Sequence, residues 1–268
     1  LDGGFDMVND ICGFADPEMP RVCAERDVAV AKMASPPDLE RPGAVEDVDD
    51  IYEALERNGL TDKTIVDPAF GGWSEAKTLE DDRETFRRLR EFRAVGQPIL
   101  VSINRKNFLR GLAGRETEEA LPVSLAATSM AVERGAHVIR THDVAETRDA
   151  AIVGKEFTRD RTRTAVDGIA VEELDVTTPG EARRHLEAAD ADPEHSDRAV
   201  TLAATLSGLT DAQRRALEDA AGEHGAAVGG VDPVVLAGTV RSVEGIVQSV
   251  EGKGGLRDAL TAVLEGSR

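Results

Sequence analysis

The sequence predicts an α/β fold built on a parallel sheet. Three observations support this. Short apolar segments rich in branched residues alternate with helix-length amphipathic stretches, the pattern of βα units whose strands are buried on both faces. The amphipathic stretches stop at glycines, as helices with left-handed caps do. Each apolar segment also runs out into polar, chemically capable side chains, which is how a (β/α)8 barrel or an open α/β sheet assembles a site at the carboxyl ends of its strands.

In chain order, 5–11 (FDMVNDI) reads as a possible short strand or a strand-to-helix turn, and 28–33 (VAVAKM) as the first of four clearer strands. Residues 47–58 have apolar positions at helical spacing and end at Gly59. A strand at 64–70 (TIVDPAF) follows, then a charged helix over 79–95 closed by Gly96. The strand at 98–104 (PILVSIN) leads to an apolar helix over 121–134 that stops at Gly135, and the last strand of the series is 137–143 (HVIRTHD). Residues 156–167 read as a charged linker. Beyond it the pattern restarts as a smaller α/β domain over 168–268: a strand at 168–175, a helix at 179–189 with proline in its first turn, and a loop at 190–197. A strand at 199–206, a helix from Thr210 to Gly222, a strand or turn at 226–231 and helices over most of the remainder complete it. His185, His195 and His224 are scattered, and Gly229 with Gly230 reads as a tight turn, so the second domain offers no nameable chemistry.

Composition narrows the function. The net charge of −19 excludes nucleic acid and anionic membranes as expected partners, because no basic patch overrides the field. No apolar run approaches a membrane span and the start lacks signal-peptide form, so the expected location is the cytoplasm. Cys12 and Cys23 are too few for a disulfide framework and lack zinc-site spacing; both read as buried thiols. Only six of the 32 basic side chains are lysine, and with a carboxylate excess this composition suits concentrated salt.

The polar strand ends are Asn9 and Asp10, Lys32, Asp67, Asn104 with Arg105 and Lys106, and Arg140 with His142 and Asp143. A carboxylate at the end of a buried strand, as at Asp67, needs donors from a ligand or a neighbour. Asn9 adds a donor and an acceptor, Lys106 a point charge, and Arg105 and Arg140 forks that match carboxylate or phosphate. Together they suit a ligand with an amide-bearing ring at one end and an anion at the other.

These segments resemble dihydropteroate synthase: NDI at 9–11, DPAFG at 67–71, NRK at 104–106 for the family's serine-arginine-lysine, and RTHDVAET at 140–147. The resemblance covers roughly residues 1–155. It implies an eight-fold barrel that joins p-aminobenzoate to 6-hydroxymethyl-7,8-dihydropterin pyrophosphate and releases pyrophosphate. By that likeness Asn9, Asp67 and Lys106 would bind the pterin, Arg140 and His142 the pyrophosphate, and Asn104 and Arg105 would lie on the aminobenzoate side. A magnesium ion and a homodimer are implied by the family, with the metal's ligands in family segments that have no match here. The runner-up readings are a pterin-dependent methyltransferase, which lacks counterparts of the last two motifs, and a non-catalytic pterin- or anion-binding protein. Departures include Lys32-Met33 for the family's Met-His, Gly72 and Trp73 after the Asp-Pro motif, and Asn104 for serine. The loops that open the family's barrel are also unmatched. The expectation is therefore the C-terminal half of a (β/α)8 barrel, about four βα units over 1–155, followed by the small domain and inactive alone as a truncated chain.

Overall fold

A computed structural model of the chain describes residues 3–36, 43, 45–71, 77–250, 252 and 254–266; Gly72 and Trp73 lie outside them. The chain divides into two compact units, 1–160 and 161–268.

Among its described residues the first unit carries five strands: β1 (Met7–Asp10), β2 (Ala29–Met33), β3 (Thr64–Asp67), β4 (Ile99–Val101) and β5 (Ala136–Ile139). They form one parallel sheet in the order β1-β2-β3-β4-β5, so each strand lies beside its neighbour in sequence. The segment over 5–11 is thus a full member of the sheet, and the expected four units become five strands. Register decides what each strand presents. Asn9 pairs with Ala31 and Met33 with Asp67, while Lys32 pairs with Val66. Because strand side chains alternate, Asn9, Met33 and Asp67 share one face and Lys32 and Val66 the other.

Helices α1 (Glu18–Glu25), α2 (Val48–Glu56), α3 (Leu79–Arg87), α4 (Asn107–Ala113), α5 (Leu121–Glu133) and α6 (Val144–Glu156) complete the unit. Asp47 caps α2 by accepting the Asp49 N–H, and Thr78 with Asp81 forms a capping box on α3. The single helix expected over 79–95 is two elements, because a 3-10 segment runs over Leu89–Val95. Its tighter turn brings residues three apart onto one side, so Leu89 and Phe92 both reach the core. That core includes Ile51, Leu55, Val66, Ile99, Val101 and Ile103. Phe70, Phe86 and Phe108 pack ring against ring beside it, with centroids 5.7 to 6.1 Å apart.

The pairing of α5 with α6 depends on a small residue. A Cβ at Gly154 would run into the backbone carbonyl oxygen of Ser129, and the Ser129 hydroxyl already donates to the Ala150 carbonyl at 2.7 Å. Backbone cannot yield as a flexible side chain can. Gly154→Val is therefore expected to destabilise the first unit by about 2 kcal/mol, which thermal unfolding would show as a midpoint several degrees lower.

The second unit corrects two expectations. The linker over 156–167 contains β6 (Arg163–Val166), which pairs antiparallel with β7 (Ile169–Glu172) across a turn at Asp167 and Gly168. The strand read at 168–175 contains β7, but the sequence hides β6, whose four residues are all exposed and leave no alternation to read. After α7 (Pro179–Ala188) come β8 (Thr201–Leu206), α8 (Asp211–His224), β9 (Ala227–Gly229), β10 (Val234–Thr239), α9 (Val240–Ser249) and α10 (Gly255–Glu265). The strand β10 occupies sequence expected to be helical, and it is the centre of the sheet, in the order β8-β10-β9. Both pairings are antiparallel, so the sheet of this small α/β unit is an antiparallel one. The alternation of buried Val234, Leu236 and Gly238 with more exposed Val235, Ala237 and Thr239 is the strand signal that was available. Leu217, Leu236, Val243, Ile246 and Leu260 fill its core.

Candidate functional site

Asp67 ends β3 on the face shared with Asn9 and Met33, and only 1% of it is exposed. One oxygen, Oδ1, accepts the N–H of Ala69 at 2.8 Å. The other, Oδ2, accepts no hydrogen bond among the described residues, and the Arg140 Nη2 lies 3.5 Å from it. Burial pushes this carboxyl above its ordinary value, against the Ala69 N–H and the charges of Arg140, Lys106 and Lys77. A buried carboxylate with one oxygen satisfied and the other lacking a hydrogen bond has acceptor capacity left for a ligand.

Asn9 lies across the sheet on β1. Its Oδ1 accepts from Arg140 Nη1 at 3.0 Å, and Arg140 Nε reaches the Ser102 hydroxyl at 3.2 Å. The guanidinium, just beyond β5, thus bridges the ends of β1, β3 and β4. Lys106 enters from the loop after β4 and passes over Gly71, where a Cβ would sit 2.5 Å from its Cδ. Gly71 has φ +65°, so both the backbone conformation and the lysine exclude a side chain there. Burial and the adjacent Arg140 lower the Lys106 ammonium from its ordinary value. Asn9, Lys106 and Arg140 line a cavity of about 430 Å³ with Ile11, Met33, Ala69, Phe70 and Gly71. A neighbouring cavity of about 340 Å³ is lined by Ser102, Asn104, Lys106, Arg140, Thr141 and His142.

Of the residues the sequence singled out, Asn9, Asp67, Lys106 and Arg140 come together, with His142 and Asn104 beside them. Arg105 is committed elsewhere. Its Nε and Nη2 donate to Asp143 at 2.9 and 3.1 Å, and its Nη1 to the carbonyls of Thr117 and Glu118 at 2.8 Å each. It ties three loops together. The Arg105 and Asn104 donors hold Asp143 at a pKa of about 2. Lys32 also leaves the strand-end group. Its alternation turns it to the opposite face, where it is fully buried and donates to the carbonyls of Leu55 at 2.7 Å, Gly59 at 3.0 Å and Arg57. Asp10 accepts the N–H groups of Cys12 and Phe14 and shapes its own turn. Met33, Phe70 and Ser102 are the lining residues that sequence reasoning missed; only the register of β2 against β3 sets Met33 beside Asp67.

Among the described residues there is no group of three or more His, Cys, Asp and Glu side chains that could hold a metal ion. No described helix is long and apolar enough to cross a membrane.

A model of the pterin binding enzyme family matches residues 1–142, more than half of the chain. The chain is 36% identical over 159 residues to a probable bifunctional folylpolyglutamate synthase/dihydropteroate synthase of Haloferax volcanii, covering 54% of this chain and 18% of that protein. It is 31% identical over 185 residues to the dihydropteroate synthase type-1 of Escherichia coli, covering 62% and 65%. The chain thus spans less than two thirds of the length of these curated relatives. The dihydropteroate synthase of Thermus thermophilus, solved in complex with 6HMPPP, superposes with a TM-score of 0.52 at 30% identity over 59% of this chain and 66% of that one. The family model's match over more than half of the sequence shows that the chain belongs to the pterin binding enzyme family, and the relatives named above are dihydropteroate synthases, one of them bifunctional.

Proposed function

We propose that this chain provides the pterin- and pyrophosphate-binding part of a dihydropteroate synthase, its first unit supplying five of the eight strands that close such a barrel. The observation that carries the reading is Asp67, buried, with one oxygen satisfied and the other without a hydrogen bond and 3.5 Å from Arg140, which lines a cavity together with Asn9 and Lys106. The amide and amino N–H groups of a pterin ring are donors that suit Asp67, and Asn9 offers an acceptor and a donor for another edge of the ring. Phe70 and Met33 supply apolar walls. Lys106 places a cation against the ring's heteroatoms.

The diphosphate end falls to Arg140 and His142. In the structure the Arg140 fork holds Asn9 and Asp67 together, so a bound pterin takes over those contacts and turns the guanidinium toward the cavity that His142 shares. The chemistry asked of these residues is modest. The aniline nitrogen of p-aminobenzoate is already a nucleophile, and the site must orient it and stabilise charge on the departing pyrophosphate. Asn104, at the rim of the same cavity, stands on the aminobenzoate side. Arg105 acts there through the loops it braces.

The test is a paired assay of the 268-residue chain. Saturable binding of 6-hydroxymethyl-7,8-dihydropterin pyrophosphate without pteroate formation is the expected result, because five strands leave the barrel open. Pteroate formation by the chain alone would overturn the partial-barrel part of the proposal, and absence of binding would overturn the site itself.

A further inference from the structure

One buried ion pair has no part in the site as drawn so far. Lys77 and Asp82 lie 3.1 Å apart with side chains only 1% and 4% exposed. Both reach the same short stretch of backbone behind Asp67. The Asp82 carboxylate accepts the Gly71 N–H on both oxygens, at 3.0 and 3.1 Å, and the Lys77 ammonium donates to the Ala69 carbonyl at 3.1 Å. Residues 69–71 in turn make two sides of the site: the Ala69 N–H occupies one oxygen of Asp67, and Gly71 is the floor over which Lys106 passes. Ala69 itself sits at φ +62°, a left-handed conformation that a side chain disfavours and that surrounding contacts must hold.

A buried ion pair is a poor way to gain stability, since an apolar pair of similar volume does as well or better once desolvation is counted. Its hydrogen bonds are better explained by what they fix. We propose that Lys77 and Asp82 are positioning residues, a buried latch that holds residues 69–71 so that Asp67 keeps one oxygen without a hydrogen bond, as an acceptor for a pterin, and Lys106 keeps its path over Gly71. This rests on the pterin reading of the site for its ligand, although the latch itself does not. The charged groups facing Asp67 are Arg140, Lys106 and Lys77, and those facing Lys106 are Arg140, Asp67, Asp82 and Lys77. Removing the Lys77 charge therefore also takes a cation from the surroundings of Asp67.

The full chain carrying Lys77→Met with Asp82→Leu, which leaves no lone buried charge, tests this. The latch predicts a folded protein whose Ala69 and Gly71 amides exchange with deuterium at least 10-fold faster and whose dihydropterin affinity falls at least 10-fold. In Lys77→Met alone, the acid limb of the binding profile should move to higher pH, and Lys77→Arg should restore both profile and affinity to within about threefold. Should the apolar pair not fold, Asp82→Asn, which keeps an acceptor for Gly71, should show the same exchange and binding changes in smaller measure. Unchanged amide exchange in a folded variant would overturn the latch. So would unchanged affinity and pH profile in variants of a chain that binds. The exchange measurement needs no pterin, so it decides on the latch even if the wild-type chain binds none, an outcome that would sink the reading of the site instead.

Discussion

Asp67→Asn is expected to abolish pterin binding, by 100-fold or more, while leaving the unliganded protein as stable as the wild type or more so. The two effects have one cause. A carboxylate that is 1% exposed, with one oxygen lacking a hydrogen bond, is held in the fold at a cost, and burial raises its pKa in spite of three nearby cations. The asparagine oxygen can still accept the Ala69 N–H, so the turn survives. What is lost is the charged acceptor, and hydrogen bonds to a charged group contribute about 1.5–3 kcal/mol each. Two such bonds to one ring account for the predicted loss. The sign of the pH dependence follows. Because the folded carboxyl titrates above its ordinary 3.8, the folded state holds the proton longer than the unfolded one, and stability falls as pH rises through that window. The Asp67→Asn substitution removes this fall. The variant's advantage in thermal midpoint should be absent below about pH 3.8 and grow toward neutrality, as scanning calorimetry over that range would show. A variant less stable than wild type at neutral pH would contradict the account of Asp67 as a ligand acceptor held at structural cost.

Lys32→Met is expected to do the reverse: a large loss of stability with little effect on the site. Lys32 is fully buried, lies 4.8 Å from the Phe14 ring centroid, and serves three carbonyls at and just beyond the end of α2. Methionine fills similar volume but donates nothing. Leaving those acceptors without a donor at neutral pH should cost about 3 kcal/mol, since a buried unsatisfied group costs roughly 1–3 kcal/mol and nearby water can reach some of them. Burial lowers the Lys32 pKa from 10.5 to about 8, so the folded protein releases its proton first. Stability from this group therefore rises between pH 8 and 10.5 in the wild type, and the rise should be missing from the variant. Denaturant unfolding at about pH 7 and about pH 10 checks both statements. Equal stability of variant and wild type at neutral pH would show that the carbonyls need no donor.

The parallel sheet and the chemistry at its strand ends were legible because they depend on local signals. Buried branched runs mark β2, β3 and β4, and the polar residues at or just beyond the ends of β3, β4 and β5 mark Asp67, Lys106 and Arg140. The faces were harder. Lys32 and Met33 are adjacent in sequence but point to opposite sides, and only register against β3 shows that methionine faces the cavity while lysine caps a helix. Arg105 and Arg140 look equivalent as residue types. Asp143 and two carbonyls, brought close by the fold, commit one of them to bracing loops. The strand β6 stayed hidden for the opposite reason, since its exposed residues carry no burial pattern. The latch was unreadable because its ion pair acts through backbone atoms of residues 69–71, which no composition reveals.

The most direct test of the central claim is a calorimetric titration of the full 268-residue chain with 6-hydroxymethyl-7,8-dihydropterin pyrophosphate, beside its Asp67→Asn variant. A pterin site built on Asp67 predicts saturable one-to-one binding by the wild type and none measurable by the folded variant. No binding by the wild type, or equal binding by both, would contradict it.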